Sequence, residues 1–215
     1  TPHIVERLSK INPNTVMVTN YPIMDFENSI DKNPRRAICF AGGISAQWNH
    51  DKILKALENI NRVEYILAGT GTKDYLDLLQ SLPGWRKVNY VGKVPHEEVK
   101  NIYFNSIVGV AINYSNQSKG EGTLGNTKLF EYMAAGLPVI CSNHRLWREI
   151  VEENNCGICI DPNSVEEITE AINYIMNNQE EAMKMGENGR RAVIEKYNWS
   201  TQEVELVGLY HKILG

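Results

Sequence analysis

Apolar positions in this chain fall into two rhythms. Short runs without polar alternation occur at 36–41 (RAICFA), 63–68 (VEYILA), 88–91 (VNYV), 107–112 (IVGVAI), 139–142 (VICS) and 157–160 (GICI). Longer stretches between them carry apolar residues three and four apart, as at Ile53, Leu54, Leu57 and Ile60. The first rhythm predicts strands buried on both faces, the second amphipathic helices. Helices are predicted at 52–60, 73–82, 95–105, 146–152, 165–177, 179–197 and 204–214, and another opens near Asn126 or Thr127. The 179–197 helix is expected to bury Met183, Met185, Ala192 and Ile194. Strands alternating with helices specify an α/β fold, a doubly wound parallel sheet of about six strands with helices on both faces.

Ahead of this alternation, Pro2–Ser9 reads as a short helix with Ile4, Val5 and Leu8 on one face. Thr15–Thr19 (TVMVT) reads as a β-branched strand, ended by Asn20-Tyr21-Pro22. Asp25 to Arg36 is polar and carries Pro34, which marks a linker. Residues 1–35 are therefore set off, by this linker, from 36–198, the main domain. A break at Trp199-Ser200 sets off 199–215 as a terminal segment.

Glycines stand where strands should end: Gly42-Gly43, Gly69-Thr70-Gly71, Gly92 and the Gly120–Gly125 loop. Parallel sheets bind ligands beyond those carboxyl ends. The densest chemistry lies in 119–140, KGEGTLGNTKLFEYMAAGLPVI. A loop with Gly120, Gly122 and Gly125 runs into a helix capped by Asn126 or Thr127 and closed at Ala134-Ala135-Gly136. First-turn amides there suit an anion. Glu131 lies one turn further in, where a carboxylate accepts hydrogen bonds from a sugar diol beside a bound phosphate. The pattern alone is equally compatible with a solvated helix glutamate. Lys128 is a candidate counter-charge, or else a solvated lysine. The loop matches neither the Walker pattern nor GxGxxG. Phosphate on the amides with a diol on Glu131 describes half of a nucleotide sugar.

Composition narrows the field. With 215 residues the chain is long enough for one large domain or one domain with an appendage, and at 42% hydrophobic and 22% charged it reads as ordinary globular protein. A net charge of −4 argues against a dedicated nucleic-acid binder. No stretch approaches the roughly 18 apolar residues of a transmembrane segment, and no signal peptide is visible. The start at Thr1-Pro2, without Met, suggests a piece of something longer. Cys39 and Cys141 sit in apolar runs, and Cys156 and Cys159 flank a strand; reduced thiols in a cytoplasmic protein are expected, with no metal site. His50 and His144 read as loop residues and His96 as a first-turn surface histidine. Backbone around Lys93 and Val94 is placed to read a nucleobase edge. No GxSxG elbow supports hydrolysis.

Gly92 with Val94, the run Asn126–Ile140, Glu149-Ile150-Val151 and Gly157 together resemble the C-terminal domain of group 1 (family 4) glycosyltransferases. The resemblance runs from about Arg36 to Leu214 and is most specific over Lys128–Val139. It implies one half of a GT-B architecture, in which two Rossmann-like domains flank the catalytic cleft. The C-terminal domain would hold a UDP- or GDP-linked sugar, and the missing N-terminal domain a glycan or lipid-linked acceptor. It further implies retention of anomeric configuration, no metal or other cofactor, and cell-surface polysaccharide assembly at the inner face of the membrane. Carried over, Glu131 would bind ribose hydroxyls. Gly43, Gly125, Asn126, Thr127 and Lys128 would bind diphosphate, Lys93 and Val94 the base, and Glu121, Gly122 and Thr123 the donor sugar. Two departures stand out. The family often places a second glutamate eight positions before Glu131, where this chain has Thr123, with Glu121 offset by two. The family's Arg and Lys near the first glycine loop are absent around Gly43-Ile44-Ser45, with Lys52 nearby. A GT-B nucleotide-sugar epimerase and a non-catalytic nucleotide-binding or scaffold module stay open as alternatives, the latter supported by Thr123.

Overall fold

A computed structural model describes residues 2–24, 37–114 and 121–214. The predicted linker, 25–36, and Gly120 lie outside the described residues. Six strands form one sheet: β1 (Ala37–Ala41), β2 (Glu64–Ala68), β3 (Val88–Gly92), β4 (Val108–Ala111), β5 (Val139–Ser142) and β6 (Gly157–Ile160). Every pairing is parallel and the order is β3-β2-β1-β4-β5-β6. The predicted doubly wound sheet is therefore present.

Successive β1 side chains enter opposite cores, Cys39 on one face and Ile38 and Phe40 on the other. Burial on both faces explains why the four inner strands, β1, β2, β4 and β5, read as apolar runs. Helices α4 (His96–Phe104), α5 (Thr127–Ala134) and α6 (Arg145–Asn154) cover the first face. Helices α2 (His50–Glu58), α3 (Lys73–Ser81) and α7 (Val165–Asn177) cover the second, and α8 (Gln179–Glu195) contributes to both. Helices α1 (Pro2–Ser9) and α9 (Trp199–Leu214) bury none of their residues.

Four expectations need correction. Thr15–Thr19 is not a strand: β-branched residues extend the backbone, but no strand among the described residues pairs with it, and the Thr19 amide donates to Gln202 Oε1 instead (2.8 Å). Trp199-Ser200 does not break the chain, because α9 starts at Trp199. Asn198 makes the turn, donating from Nδ2 to the Val193 and Ile194 carbonyls while its own carbonyl accepts from Thr201 Oγ1. Strands β3 and β6 are the edges of the sheet and are not buried on both faces: β3 has no fully buried residue and β6 only Ile160. Helix α8 buries Ala182, Gly186, Gly189, Ala192 and Val193, while Met183 and Ile194 are 54% and 55% exposed. Its inner face is built of small residues rather than long apolar ones, which lets Gly186 rest against the Gly136 backbone.

The incoming and outgoing segments are clasped together. The Tyr21 ring meets Phe130 (4.7 Å) and Tyr197 (5.6 Å), both edge-on, and those two rings also touch each other (5.3 Å). The Trp199 amide donates to the Pro22 carbonyl (3.0 Å).

Candidate nucleotide site

Strand order reverses between β1 and β4, the topological switch point at which such sheets open a ligand crevice. The rim there is stitched by main-chain hydrogen bonds. Gly42 N–H donates to the Ala68 carbonyl (3.0 Å), Ile44 N–H to Thr70 (2.8 Å) and Gly69 N–H to Gly92 (2.7 Å). Across the switch, Tyr114 N–H donates to the Gln47 carbonyl (2.8 Å), tying the exit of β4 to the tight turn 46–48.

Helix α5 opens on this rim. Asn126, not Thr127, is the cap: its Oδ1 accepts from the Lys128 amide (3.2 Å). Gly125 N–H is occupied by Thr123 Oγ1 (3.0 Å). Asn126 is 9% exposed, and its Nδ2 has no hydrogen-bond partner among the described residues. At the other end Gly136 (φ 72°) donates to Met133 and Leu137 to Tyr132, the paired bonds of a Schellman stop. Leu129, Phe130, Tyr132 and Met133 are fully buried, so Thr127, Lys128 and Glu131 are the partly exposed side chains of the helix.

Glu131 and Thr127 line a pocket of about 400 Å³ with His96, Val99, Lys100 and Tyr103 of α4 and the 20–23 segment. Tyr103 donates its hydroxyl to Glu131 Oε2 (2.8 Å). The Tyr103 ring is buried edge-on against Tyr132 (5.1 Å). Burial first, and the Glu131 charge second, hold this phenol well above the usual tyrosine range, so it stays a donor. One carboxylate oxygen is thus fixed, and Oε1 has no hydrogen-bond partner among the described residues.

Lys128 turns the other way. Its Nζ lies 4.7 Å from the Trp48 ring centroid and 5.2 Å from that of Phe40. Burial lowers its pKa, opposed by the Glu131 carboxylate. Behind it, His50 is wholly buried, with Nδ1 on the Tyr65 hydroxyl (2.9 Å). Burial, aided by the Lys128 charge, pushes the His50 ring down to about 3. His50 Nε2 and the Tyr75 hydroxyl, both buried, have no hydrogen-bond partner among the described residues. His144 is also buried, with Nε2 on Asn113 Oδ1 (2.8 Å). Neither histidine is a loop residue in contact with solvent: each sits at a helix start and turns inward.

The remaining sequence candidates fall in three places. Gly43 is exposed on the rim beside Gly42. Lys93 is exposed and Val94 half-buried against the core just before α4, adjoining the pocket's His96 wall without lining it. Glu121, Gly122 and Thr123 lie on α6: the Glu121 carboxylate accepts from Arg145 Nε (2.7 Å), its carbonyl from Leu146 N–H (3.0 Å), and the Thr123 carbonyl from Trp147 Nε1 (2.8 Å). Tyr103, Phe40 and Trp48 were invisible to motif reasoning because ordinary core aromatics look the same in sequence.

The model of the family "Glycosyl transferases group 1" matches residues 23–192. The chain belongs to the group 1 glycosyltransferases. An uncharacterized glycosyltransferase of Methanocaldococcus jannaschii is 27% identical over 193 residues, which cover 87% of this chain and 48% of that protein. The chain spans about half the length of the relatives it matches. Two solved structures share the fold. One is an S. aureus TarM mutant in complex with fondaparinux, alpha-GlcNAc-glycerol and UDP (TM-score 0.74, 16% identity, 95% of this chain and 42% of that one). The other is Anabaena HepE in complex with UDP (TM-score 0.73, 14% identity, 99% and 53%). This group 1 glycosyltransferase chain is thus one Rossmann-like half of a GT-B fold. Among its described residues no helix is long and apolar enough to cross a membrane.

Proposed function

We propose that the chain is the donor-binding, C-terminal half of a retaining glycosyltransferase that takes a UDP- or GDP-linked sugar. Its acceptor would be a glycan or lipid-linked saccharide held by the other half, in cell-surface polysaccharide assembly. One observation carries this reading: a single helix, α5, offers Glu131 to the pocket and Lys128 to the switch point. A ribose diol donates to the Glu131 carboxylate, which Tyr103 already orients. The diphosphate meets the α5 start, where the Gly125 and Lys128 amides exchange internal acceptors for phosphate oxygens. Lys128 and the helix dipole then offset the charge that develops on the departing nucleoside diphosphate. The base lies toward Lys93, Val94 and His96. Glu121 and Thr123, held on α6, bound the sugar side. UDP in the TarM and HepE structures supports a nucleotide ligand for this fold.

Calorimetry with UDP and GDP on the wild-type chain and on Glu131→Ala tests the assignment. The loss of a charged acceptor predicts about a tenfold or greater drop in affinity. Equal affinity in both proteins would remove the ribose role. With an acceptor-binding half supplied, an inverted product anomer by NMR would overturn the retaining assignment.

A further inference from the structure

We propose that Trp48 and Phe40 are positioning residues: they cradle the Lys128 ammonium at the switch point and hold it, still charged, for the donor's diphosphate. The inference rests on the nucleotide-sugar reading above.

A lysine on a helix surface ordinarily sends its ammonium to water. Lys128 instead lays it across two ring faces. Space for this comes from Gly42. A Cβ there would stand 2.4 Å from Lys128 Cε and 2.6 Å from Nζ, so a side chain at 42 would push the end of Lys128 aside. The turn carrying Trp48 is itself fixed: Trp48 N–H donates to the Ser45 carbonyl (3.0 Å), and the Gln47 carbonyl receives Tyr114 N–H. Phe40 is 1% exposed within β1 and is further held by the His50 ring, edge-on at 4.7 Å. The cradle is therefore built from a strand and a hydrogen-bonded turn.

The choice of aromatic faces has a consequence. A carboxylate partner would neutralise the lysine and compete with an incoming phosphate. A ring quadrupole attracts the cation without cancelling its charge. The ammonium is also partly stripped of water, as its lowered pKa records. It consequently gains more from an anion than a solvated lysine would. Residues 37–51 carry no lysine or arginine, and Lys52 of α2 follows them. Lys128 reaches across from α5 to place one against that loop.

The test compares UDP with uridine, and GDP with guanosine, by calorimetry on the 215-residue protein; the affinity ratio isolates the diphosphate. Lys128→Met should lower the ratio about tenfold or more and leave nucleoside affinity unchanged. Trp48→Leu should lower it about 3- to 30-fold, and Trp48→Phe, which keeps a ring face, should restore most of it. Phe40→Leu, which removes the second ring face and leaves Trp48 in sequence, should also lower it, and it serves if Trp48→Leu fails to fold by circular dichroism. An unchanged ratio in Trp48→Leu, or in Phe40→Leu, beside a lowered one in Lys128→Met overturns the cradle and leaves the site reading intact. Absence of UDP and GDP binding by the wild-type protein overturns both.

Discussion

Replacing Tyr103 with Phe removes one oxygen atom and tests whether Glu131 is held by design. The ring stays edge-on to Tyr132, so packing is preserved and only the 2.8 Å bond to Oε2 is lost. A hydrogen bond to a charged group contributes about 1.5–3 kcal/mol when both partners are dry. Glu131 is only half-buried, and water can take up the freed oxygen, so the expected loss of stability is about 1 kcal/mol. The larger effect should fall on binding. A carboxylate free to rotate must be ordered again by the ribose, which predicts about a three- to tenfold loss of UDP or GDP affinity. Urea denaturation should show a lower midpoint at unchanged slope. The 2′-deoxynucleotides should be less affected than the ribonucleotides, because they make less use of the carboxylate. A variant that matches wild type both in urea midpoint and in the ribo-to-deoxy affinity ratio would show that the Tyr103–Glu131 bond orients nothing.

Three further outcomes are expected. His50 is neutral when folded, its pKa pushed down to about 3 by burial and then by Lys128, whereas an unfolded histidine titrates near 6.5. Its contribution is complete above about pH 6.5 and is lost as pH falls toward 3, at about 1.4 kcal/mol per unit. His50→Asn should flatten the stability profile between pH 7 and 5, and parallel profiles would refute the account. Asn126→Ala should cost about 1 kcal/mol in chemical denaturation, since it removes the α5 cap; no change would mean that Asn126 caps nothing. Trp147→Phe deletes the indole donor to the Thr123 carbonyl and should cost about 1–3 kcal/mol. Limited proteolysis near 121–123 should quicken with it, and an unaltered cleavage rate would show the anchor to be idle.

The sheet was legible because strands covered on both faces leave continuous apolar runs, and each predicted strand from 36 onward has its counterpart in β1–β6. Edge position was not legible: GICI is as apolar as VICS, yet β6 has one neighbour and β5 has two. Helix α8 misled because periodicity counts Met183 and passes over Gly186, although close approach to α5 rewards the small residue. Within the site, Asn126, Lys128 and Glu131 were readable because caps, counter-charges and carboxylates have fixed places on a helix. Tyr103 and Trp48 were not, since they reach Glu131 and Lys128 from 28 positions away and from across the sheet. Long-range placement of that kind is settled by strand order, which no local pattern encodes.

The clasp of Tyr21 with Phe130 and Tyr197, closed by the Pro22–Trp199 bond, brings the two ends of the unit out at one place. A module entered and left through a single gateway can be spliced into a loop of an unrelated host without prising the host open. Such a chimera, carrying residues 19–202 between two short glycine-serine joints, should melt close to the parent temperature. Shaving off Tyr21 should cost the transplant more than it costs the parent, because the gateway would then be all that keeps graft and host in register.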